Sequence, residues 1–333
     1  MTRISRWRVD DKGLMSRRLR GASARKRRRR CEIESLLRPR FEKLESREWL
    51  AGPDEVEPNN VIGSATPLTL TEDPASSGLL AAYGEGTIDP ATANNTWSDP
   101  DYWNFSALAG DVVSITVATP TSLSDTYVEL RNSADGVLSS NSNSGADSDA
   151  FISHYAISSS GSYFVRVGKA YSSTVVGDYQ LRVDVARGIN LESDADYAND
   201  SVGGADLLSL AQGDPGEVAG KVGGAIMAPQ GSNTDEDYYS LGILDPGNVV
   251  DLGVLPASIS TLDPRVKVVH SSGTSVTDVD ANPNDFAFNG TIATAGEYYA
   301  VVEANSGAGP LATYLLDISI DDAVEPQVQS ISG

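Results

Sequence analysis

Beyond residue 53, hydrophobic and polar residues alternate along most of the chain, in short runs separated by glycine, aspartate, asparagine and serine. In the run GSYFVRV, Tyr163, Val165 and Val167 fall on one face of an extended segment, and Phe164 and Arg166 fall on the other. Such runs contain many β-branched residues and recur throughout the body of the chain. The pattern therefore predicts β-strands and no long helix.

The body of the chain also repeats itself at a nearly constant offset. The stretch DYWNFSALAGDVVSITVATP at 101–120 matches DYYSLGILDPGNVVDLGVLP at 237–256. Likewise, FISHYAISSSGSYFVRVG at 151–168 matches FAFNGTIATAGEYYAVVE at 286–303. A period of well over a hundred residues indicates two copies of one domain, since solenoids repeat every 20 to 50 residues.

Together, the repeat and the strand spacing predict an all-β protein built from two tandem antiparallel β-sandwich domains of jelly-roll type. About seven or eight short strands per copy suit such a sandwich. A domain of this size buries an adequate core without a disulfide. The predicted boundaries are a basic, disordered targeting segment at 1–52, the first sandwich at 53–188, the second at 189–322, and a tail at 323–333 that is a C-terminal extension or the start of a further domain.

Charge divides the chain into a basic arm and an acidic body. Residues 1–50 hold 17 of the 25 lysines and arginines and 7 of the 46 aspartates and glutamates, a net charge of +10. The remainder carries −31 of the total of −21. A body this acidic repels nucleic acid and attracts cations, so we expect no nucleic-acid partner.

The cysteine content and the hydropathy of the sequence argue against a body stabilised by cysteines and against a membrane-spanning segment. The single cysteine, Cys31, lies in the basic arm, so the body has neither a disulfide framework nor a cysteine zinc site. No stretch approaches the roughly 18 to 20 apolar residues that span a bilayer, so no transmembrane segment is predicted. The sequence does not indicate an oligomeric state.

The basic arm has no apolar core of the kind found in a usual secretory signal. From the residues alone it is a polybasic segment able to contact anionic lipid or nucleic acid non-specifically. However, RPRFEKLESREWLAG at 38–52 resembles the N-terminal segment of many planctomycete surface and secreted proteins. The matching positions are Phe41, Glu42, Leu44, Glu45, Arg47, Leu50 and Ala51. The resemblance implies export to the cell surface or beyond.

Each copy in the body resembles the bacterial pre-peptidase C-terminal domain, a secreted β-sandwich related to the collagen-binding domains of clostridial collagenases. The first copy carries EVEPNN, GTID, the Asp101-Tyr102 pair, AGD and GSYFVRV; the second keeps Asp237-Tyr238, AGEYYAVV and YLLDI. The resemblance implies a non-catalytic module attached to exported proteins, often peptidases. In the collagen-binding relatives, calcium is held between acids of the N-terminal linker and the Asp-Tyr strand.

Strand parity places Asp101 and Asp237 on the core side of the strands that they begin. The side chains predicted to share this side are Trp103, Phe105 and Ala107 in the first copy and Tyr239, Leu241 and Ile243 in the second. A carboxylate at such a position is partly desolvated, and it requires a cation or several N–H donors.

Calcium takes six to eight oxygen ligands from carboxylates, amides and carbonyls. We therefore predict one calcium ion per domain, where the linker folds back onto the strand. The candidate ligands are Glu55, Glu57, Asn59, Asn60, Asp99 and Asp101 in the first copy, and Asp194, Asp196, Asn199, Asp200, Asp235 and Asp237 in the second. The alternative is that these side chains form Asx-turns and end the strand.

The sequence predicts no catalytic residues and no enzyme activity. His154 and His270 fall at unmatched places in different copies, and neither completes a Ser-His-Asp set. An Asp-x-Asp at a strand mouth does not set two carboxylates across a cleft, as glycosidases require.

The predicted function is that of a secreted or cell-surface protein whose sandwiches bind or space extracellular partners, either a polymer or an envelope protein. One alternative is the accessory portion of an exported peptidase or other hydrolase whose catalytic domain lies outside this chain. Another is an adhesin-like structural protein of the envelope. Candidate contacts are an exposed aromatic stripe of Tyr102, Tyr127, Phe164, Tyr238 and Tyr299, although these side chains equally suit packing of the strand faces.

Overall fold

The structure is a computed structural model that describes residues 53–88, 99–119, 126–169, 177–213, 216–282 and 285–322. The predicted targeting segment at 1–52 and the tail at 323–333 lie outside the described residues. Within the described ranges, the predicted all-β fold is confirmed. No helix there is long and apolar enough to cross a membrane.

The first copy is a sandwich of two five-stranded sheets. Its strands are β1 (Thr66–Pro67), β2 (Thr71–Glu72), β3 (Leu79–Ile88), β4 (Asp101–Ala107), β5 (Val112–Ala118), β6 (Thr126–Arg131), β7 (Val137–Asn141), β8 (Ala150–Ala156), β9 (Gly161–Lys169) and β10 (Gly177–Ala186). The sheet orders are β1-β4-β9-β6-β7 and β2-β3-β10-β5-β8. Pairing is antiparallel apart from the short parallel contact of β1 with β4. Two 3-10 segments, Ile62–Ser64 and Ala146–Ser148, lie outside the sheets.

The second copy repeats this strand order. Its strands are β11 (Asn190–Leu191), β12 (Asp206–Leu207), β13 (Ala211–Gln212), β14 (Glu217–Ala225), β15 (Glu236–Leu244), β16 (Val249–Pro256), β17 (Asp263–His270), β18 (Ala287–Thr291), β19 (Gly296–Ser306) and β20 (Thr313–Asp321). The order β4-β9-β6 recurs as β15-β19-β17, and β3-β10-β5-β8 recurs as β14-β20-β16-β18. The sequence repeat therefore corresponds to a repeat of topology.

Each sandwich has its own hydrophobic core, formed by the inward faces of its two sheets. In the first, Trp103 and Val165 from one sheet and Ile115 and Val183 from the other are fully buried. The second core is formed in the same way by residues between Val222 and Ile320. Alternating inward side chains from two layers are what a sandwich requires, so the period-2 pattern is explained by the two cores.

The predicted parity of β15 is wrong at its end. Ile243 is 81% exposed, whereas its neighbour Leu244 is 6% exposed and packs in the core. The pairing of β15 with β19 shifts register between Ser240 and Gly242, and Gly242 has a φ of +79°. A β-bulge inserts one residue into one strand, so every side chain after it changes face.

Two of the five aromatic side chains in the candidate binding stripe are buried. Tyr102 is 6% exposed, and Tyr299 is 4% exposed and packs with Val269 and Val301 on the outer face of its sheet. The alternative interpretation, that the aromatics pack the strand faces, therefore holds for these two. The structure does not present the five side chains as one exposed stripe.

The two sandwiches contact each other around the segment that joins β10 to β11. The described residues of the two sandwiches belong to one compact unit. Ser258 donates its backbone N–H to Asp73 Oδ2 at 2.8 Å, and Arg182 Nη1 donates to the carbonyl of Pro310. The buried apolar cluster at this junction consists of Leu79, Ala186, Leu191 and Leu315.

Because of the bulge, truncations of two adjacent side chains should change the free energy of unfolding by very different amounts. Leu244→Ala is expected to lower the free energy of unfolding by about 2–5 kcal/mol, because it leaves a cavity in the second core. Ile243→Ala is expected to change it by less than about 0.5 kcal/mol, because the side chain already faces solvent. Urea denaturation of both variants measures the difference. A larger loss in Ile243→Ala than in Leu244→Ala would mean that the strand continues without the bulge.

Candidate metal sites

In the first sandwich, the linker before β1 folds back over the start of β4. The Tyr102 N–H donates to the carbonyl of Asn59 at 3.1 Å, and the Thr87 N–H donates to Glu55 Oε1 at 2.7 Å. These bonds bring oxygen atoms of Glu55, Glu57 and Asp101 within 4.8 Å of one another. The predicted meeting of linker acids and strand aspartate therefore occurs.

The Asp101 carboxylate is fully buried, at 0% exposure, and neither of its oxygens has a hydrogen-bond partner. The side-chain oxygen of the buried Asn59 also has none. Burial raises the pKa of Asp101 to about 9, and the charge of Glu55 adds to the effect, followed by those of Asp99 and Glu57. The site therefore contains buried oxygen atoms that lack a cationic or donor partner.

The second sandwich builds the same arrangement at the start of β15. The Tyr238 N–H donates to the carbonyl of Asn199 at 3.1 Å, as Tyr102 does to Asn59 in the first copy. Oxygen atoms of three acids meet within 4.8 Å of one another. These acids are Asp194, Asp200 and Asp235.

The buried oxygens of the second site are also short of partners. Asp194 Oδ2, Asp235 Oδ1, Asp237 Oδ1 and both amide atoms of Asn199 have no hydrogen-bond partner. Burial raises the pKa of Asp237 well above its usual range, and the charges of Glu192 and Asp194 raise it further. Burial and the charge of Asp237 likewise raise the pKa of Asp235.

Glu192, which was absent from the sequence prediction, occupies the place of Glu55 in the second site. Its Oε2 accepts the Ala225 N–H at 2.9 Å, just as Glu55 accepts that of Thr87. Asp194 then takes the place of Glu57, because its Oδ1 accepts the N–H of Asn199 at 3.3 Å. The sequence offers Glu192 as a signal, but three extra residues before Asn199 displace the apparent match.

Asp196 lies apart from this cluster. It is exposed, and its Oδ2 accepts a hydrogen bond from Ser144 Oγ in the first sandwich at 3.1 Å. Asn60 and Asp99 contact each other at the edge of the first site, where the Asn60 amide donates to Asp99 Oδ1. In the second site, Asp200 replaces Asn60 and accepts from the Asn233 amide at 3.0 Å.

A tyrosine on the opposite sheet contacts the strand aspartate in the second copy, and the equivalent tyrosine in the first copy contacts the tryptophan two positions after its aspartate. Tyr314 on β20 donates its hydroxyl to Asp237 Oδ2, and it shares a 2.7 Å hydrogen bond with the Tyr239 hydroxyl. In the first copy, Trp103 Nε1 donates to the Tyr179 hydroxyl at 2.9 Å. The sequence contains no signal for these partners, because they lie more than 70 residues from the aspartates.

The ligand chemistry of both clusters fits calcium. Calcium–oxygen distances are 2.3–2.6 Å, so ligands on opposite sides of one ion are about 5 Å apart, and the 4.8 Å limit of each cluster meets this condition. Zinc prefers imidazole and thiolate. Neither cluster contains a histidine. His154 Nδ1 lies 2.8 Å from the Leu191 carbonyl, and His270 Nδ1 lies 2.8 Å from Ser272 Oγ.

Comparisons with known proteins do not place the chain in a family. No family model and no curated protein matches it. Among solved structures, PliG from Aeromonas hydrophila, a periplasmic inhibitor of g-type lysozyme, is 13% identical over 40% of this chain and 98% of its own, with a TM-score of 0.26. The ANX1 ectodomain from Arabidopsis thaliana is 11% identical over 77% and 88%, with a TM-score of 0.22. The tandem CBM51 modules of a family 98 glycoside hydrolase from Streptococcus pneumoniae are 10% identical over 73% and 84%, with a TM-score of 0.21.

The buried carboxyls predict an unusual dependence of stability on pH in the absence of metal. The pKa of Asp101 is about 9 in the folded protein, whereas the usual pKa of an aspartate is 3.8, so the folded state binds this proton more tightly than the unfolded chain does. The resulting stabilisation is complete below about pH 4 and decreases as the pH rises toward 9. In EDTA, the melting temperature should therefore fall between pH 5 and pH 8.

Asp101→Asn removes this titration, so the fall should be shallower in that variant. Thermal melts in EDTA at several pH values measure both slopes. A melting temperature that rises with pH, or an unchanged slope in Asp101→Asn, would contradict the assignment.

Proposed function

We propose that the chain is a non-catalytic, exported protein whose two β-sandwiches each bind one calcium ion. In this proposal, the tandem acts as a rigid module that holds or spaces extracellular partners. The family resemblance in EVEPNN and the Asp-Tyr strands supports the same function. One observation carries the proposal: in both copies a buried aspartate at or just before the start of the strand meets acids of the preceding linker. Asp101 meets Glu55 and Glu57 in the first copy, and Asp235 meets Asp194 and Asp200 in the second.

The charges make a cation the natural partner of these oxygens. Burying an ionised carboxylate without a counter-charge costs several kcal/mol, and each site brings three or more carboxyls together. The nearby salt bridges involve other acids, since Arg182 pairs with Asp184 and Arg187 pairs with Asp111. A divalent cation from solvent would supply the missing positive charge.

The residues that would bind the ion differ between the first and the second sandwich. In the first, Glu55, Glu57 and Asp101 would hold the ion, with the side-chain oxygen of Asn59 as a further ligand. In the second, the corresponding ligands come from Asp194, Asp200, Asp235, Asp237 and Asn199. Calcium would connect each linker to the start of its strand. It would thereby supply a cross-link in a body that has no cysteine to form a disulfide.

The spacing role is supported by the junction between the sandwiches. The linker acids Glu192 and Asp194 follow directly after Leu191, which belongs to the buried apolar cluster shared by the two sandwiches. The Asp194 N–H donates to Ser153 Oγ of the first sandwich at 2.9 Å. The second site therefore lies on the segment that sets how the two modules are held together.

The first test is a calcium-dependent melt of the full chain at pH 7.5. A ligand that binds only the native state stabilises it by about 2.7 kcal/mol at a hundredfold excess over its dissociation constant. For a unit of this size we expect a rise in melting temperature of about 5–10 °C over the value in EDTA. Identical melting temperatures with calcium and with EDTA would sink the proposal.

Single substitutions then locate the two ions. Asp101→Asn and Asp237→Asn are each expected to remove one of two binding events in calorimetry, because each loses a charged ligand. Asp251→Asn is the matched control, since this aspartate is exposed on β16 and outside both clusters. Loss of binding in the control, or two remaining events in both site variants, would refute the ligand assignment.

A further inference from the structure

Two buried tyrosines occupy equivalent places in the two sandwiches. Tyr179 lies on β10 and Tyr314 on β20, the middle strand of the opposite sheet in each case. Their side chains are 1% and 0% exposed. Each phenol hydroxyl is therefore enclosed in a core, where it requires a hydrogen-bond partner.

A glycine directly opposite each tyrosine makes room for its ring. Tyr179 pairs with Gly86 in the register of β10 and β3, and Tyr314 pairs with Gly224 in that of β20 and β14. A Cβ atom at either glycine would overlap the end of the tyrosine ring and its hydroxyl. Close approach of a side chain to glycine backbone therefore recurs at both sites.

The second copy has a complete chain of hydrogen bonds to the strand aspartate, and the first copy has its outer half. In the second copy, Tyr314 donates to Asp237, and so Tyr239 donates to Tyr314. In the first copy, an indole N–H only donates, so the Tyr179 oxygen accepts from Trp103 and its hydrogen remains for another acceptor. In both copies the outer donor is the residue two positions after the aspartate.

We propose that Tyr314, and Tyr179 at the equivalent place in the first copy, are positioning residues of the two calcium sites, each donating its hydroxyl to one oxygen of the strand aspartate when the ion is bound, so that the other oxygen faces the ion. The second copy shows this division of the carboxylate, because Asp237 Oδ2 accepts from Tyr314 while Oδ1 has no partner. A hydrogen bond of this kind favours the ionised carboxylate that a cation needs. The inference rests on the proposed calcium binding.

The test removes one oxygen atom from each tyrosine in the full chain. Tyr179→Phe and Tyr314→Phe are each expected to raise the calcium dissociation constant of one site about tenfold, the scale of one hydrogen bond to a charged group. Calorimetry measures the affinities. With Tb³⁺ as the probe, emission lifetimes in H₂O and D₂O should show about one additional bound water per variant, where the aspartate no longer holds the ion.

Tyr163→Phe and Tyr298→Phe are the matched controls. Their hydroxyls donate to the carbonyls of Ser159 and Thr294, at 2.5 and 2.7 Å, and lie on the other sheets. These variants should lose stability but keep calcium affinity and the number of bound waters. Tyr239→Phe leaves Tyr314 in place, so it should weaken binding less than Tyr314→Phe.

The outcomes separate the two proposals. Absence of calcium binding by the unaltered protein would refute the proposed function and this inference together. Binding by the unaltered protein that is unchanged in Tyr179→Phe and Tyr314→Phe would refute the positioning role alone. Equal weakening in the controls would assign the effect to general loosening of the core, which also overturns it.

Discussion

A carboxylate buried at the mouth of a strand is the constraint on which the rest of each sandwich depends. Asp101 and Asp237 are fully buried on the core side, so each must be neutralised by a proton or by a cation. The linker acids cannot supply that neutralisation, and their own charges increase the need for it. The linker, the strand mouth and the tyrosine behind them are therefore parts of one electrostatic unit, and none of them is explained by apolar packing alone.

The two copies meet this constraint with different side chains on the same backbone. Thr66 Oγ1 accepts the N–H of Val56 in the first copy, and Asp206 Oδ2 accepts that of Ser193 at the same place in the second. Similarly, the indole of Trp103 donates to Tyr179 in the first copy, and the phenol of Tyr239 donates to Tyr314 in the second. The main-chain bond from the residue after the strand aspartate to a linker asparagine is the same in both. The backbone path of the linker is thus the shared feature, and the ligand set varies around it.

Much of this architecture was predictable from local pattern, and the failures have identifiable causes. Parity alone placed Asp101 in the core, because side chains alternate strictly along a regular strand. The same rule failed at Ile243, because a β-bulge turns this side chain to the other face of the sheet, and Gly242 is the sole sign of the bulge in the sequence of the strand. Glu192 was missed because an insertion in the linker shifts a match based on spacing. Tyr179 was unpredictable, since its contact is made across two sheets and depends on strand order.

In the proposed calcium sites, protons and calcium would compete for the same oxygens, and this competition would decide the pH range in which the ion stabilises the protein. At low pH the strand aspartates are neutral, so the sandwiches are stable without metal, and ionic repulsion between linker and strand is small. As the pH rises, the proton is lost from a group that has no other counter-charge, and the free energy of unfolding of the metal-free protein decreases. In the proposal, calcium would then be the partner that permits ionisation without exposure of the start of the strand. The ion would therefore act on the linker and on the joint between the sandwiches at neutral pH, while the two hydrophobic cores remain intact without it.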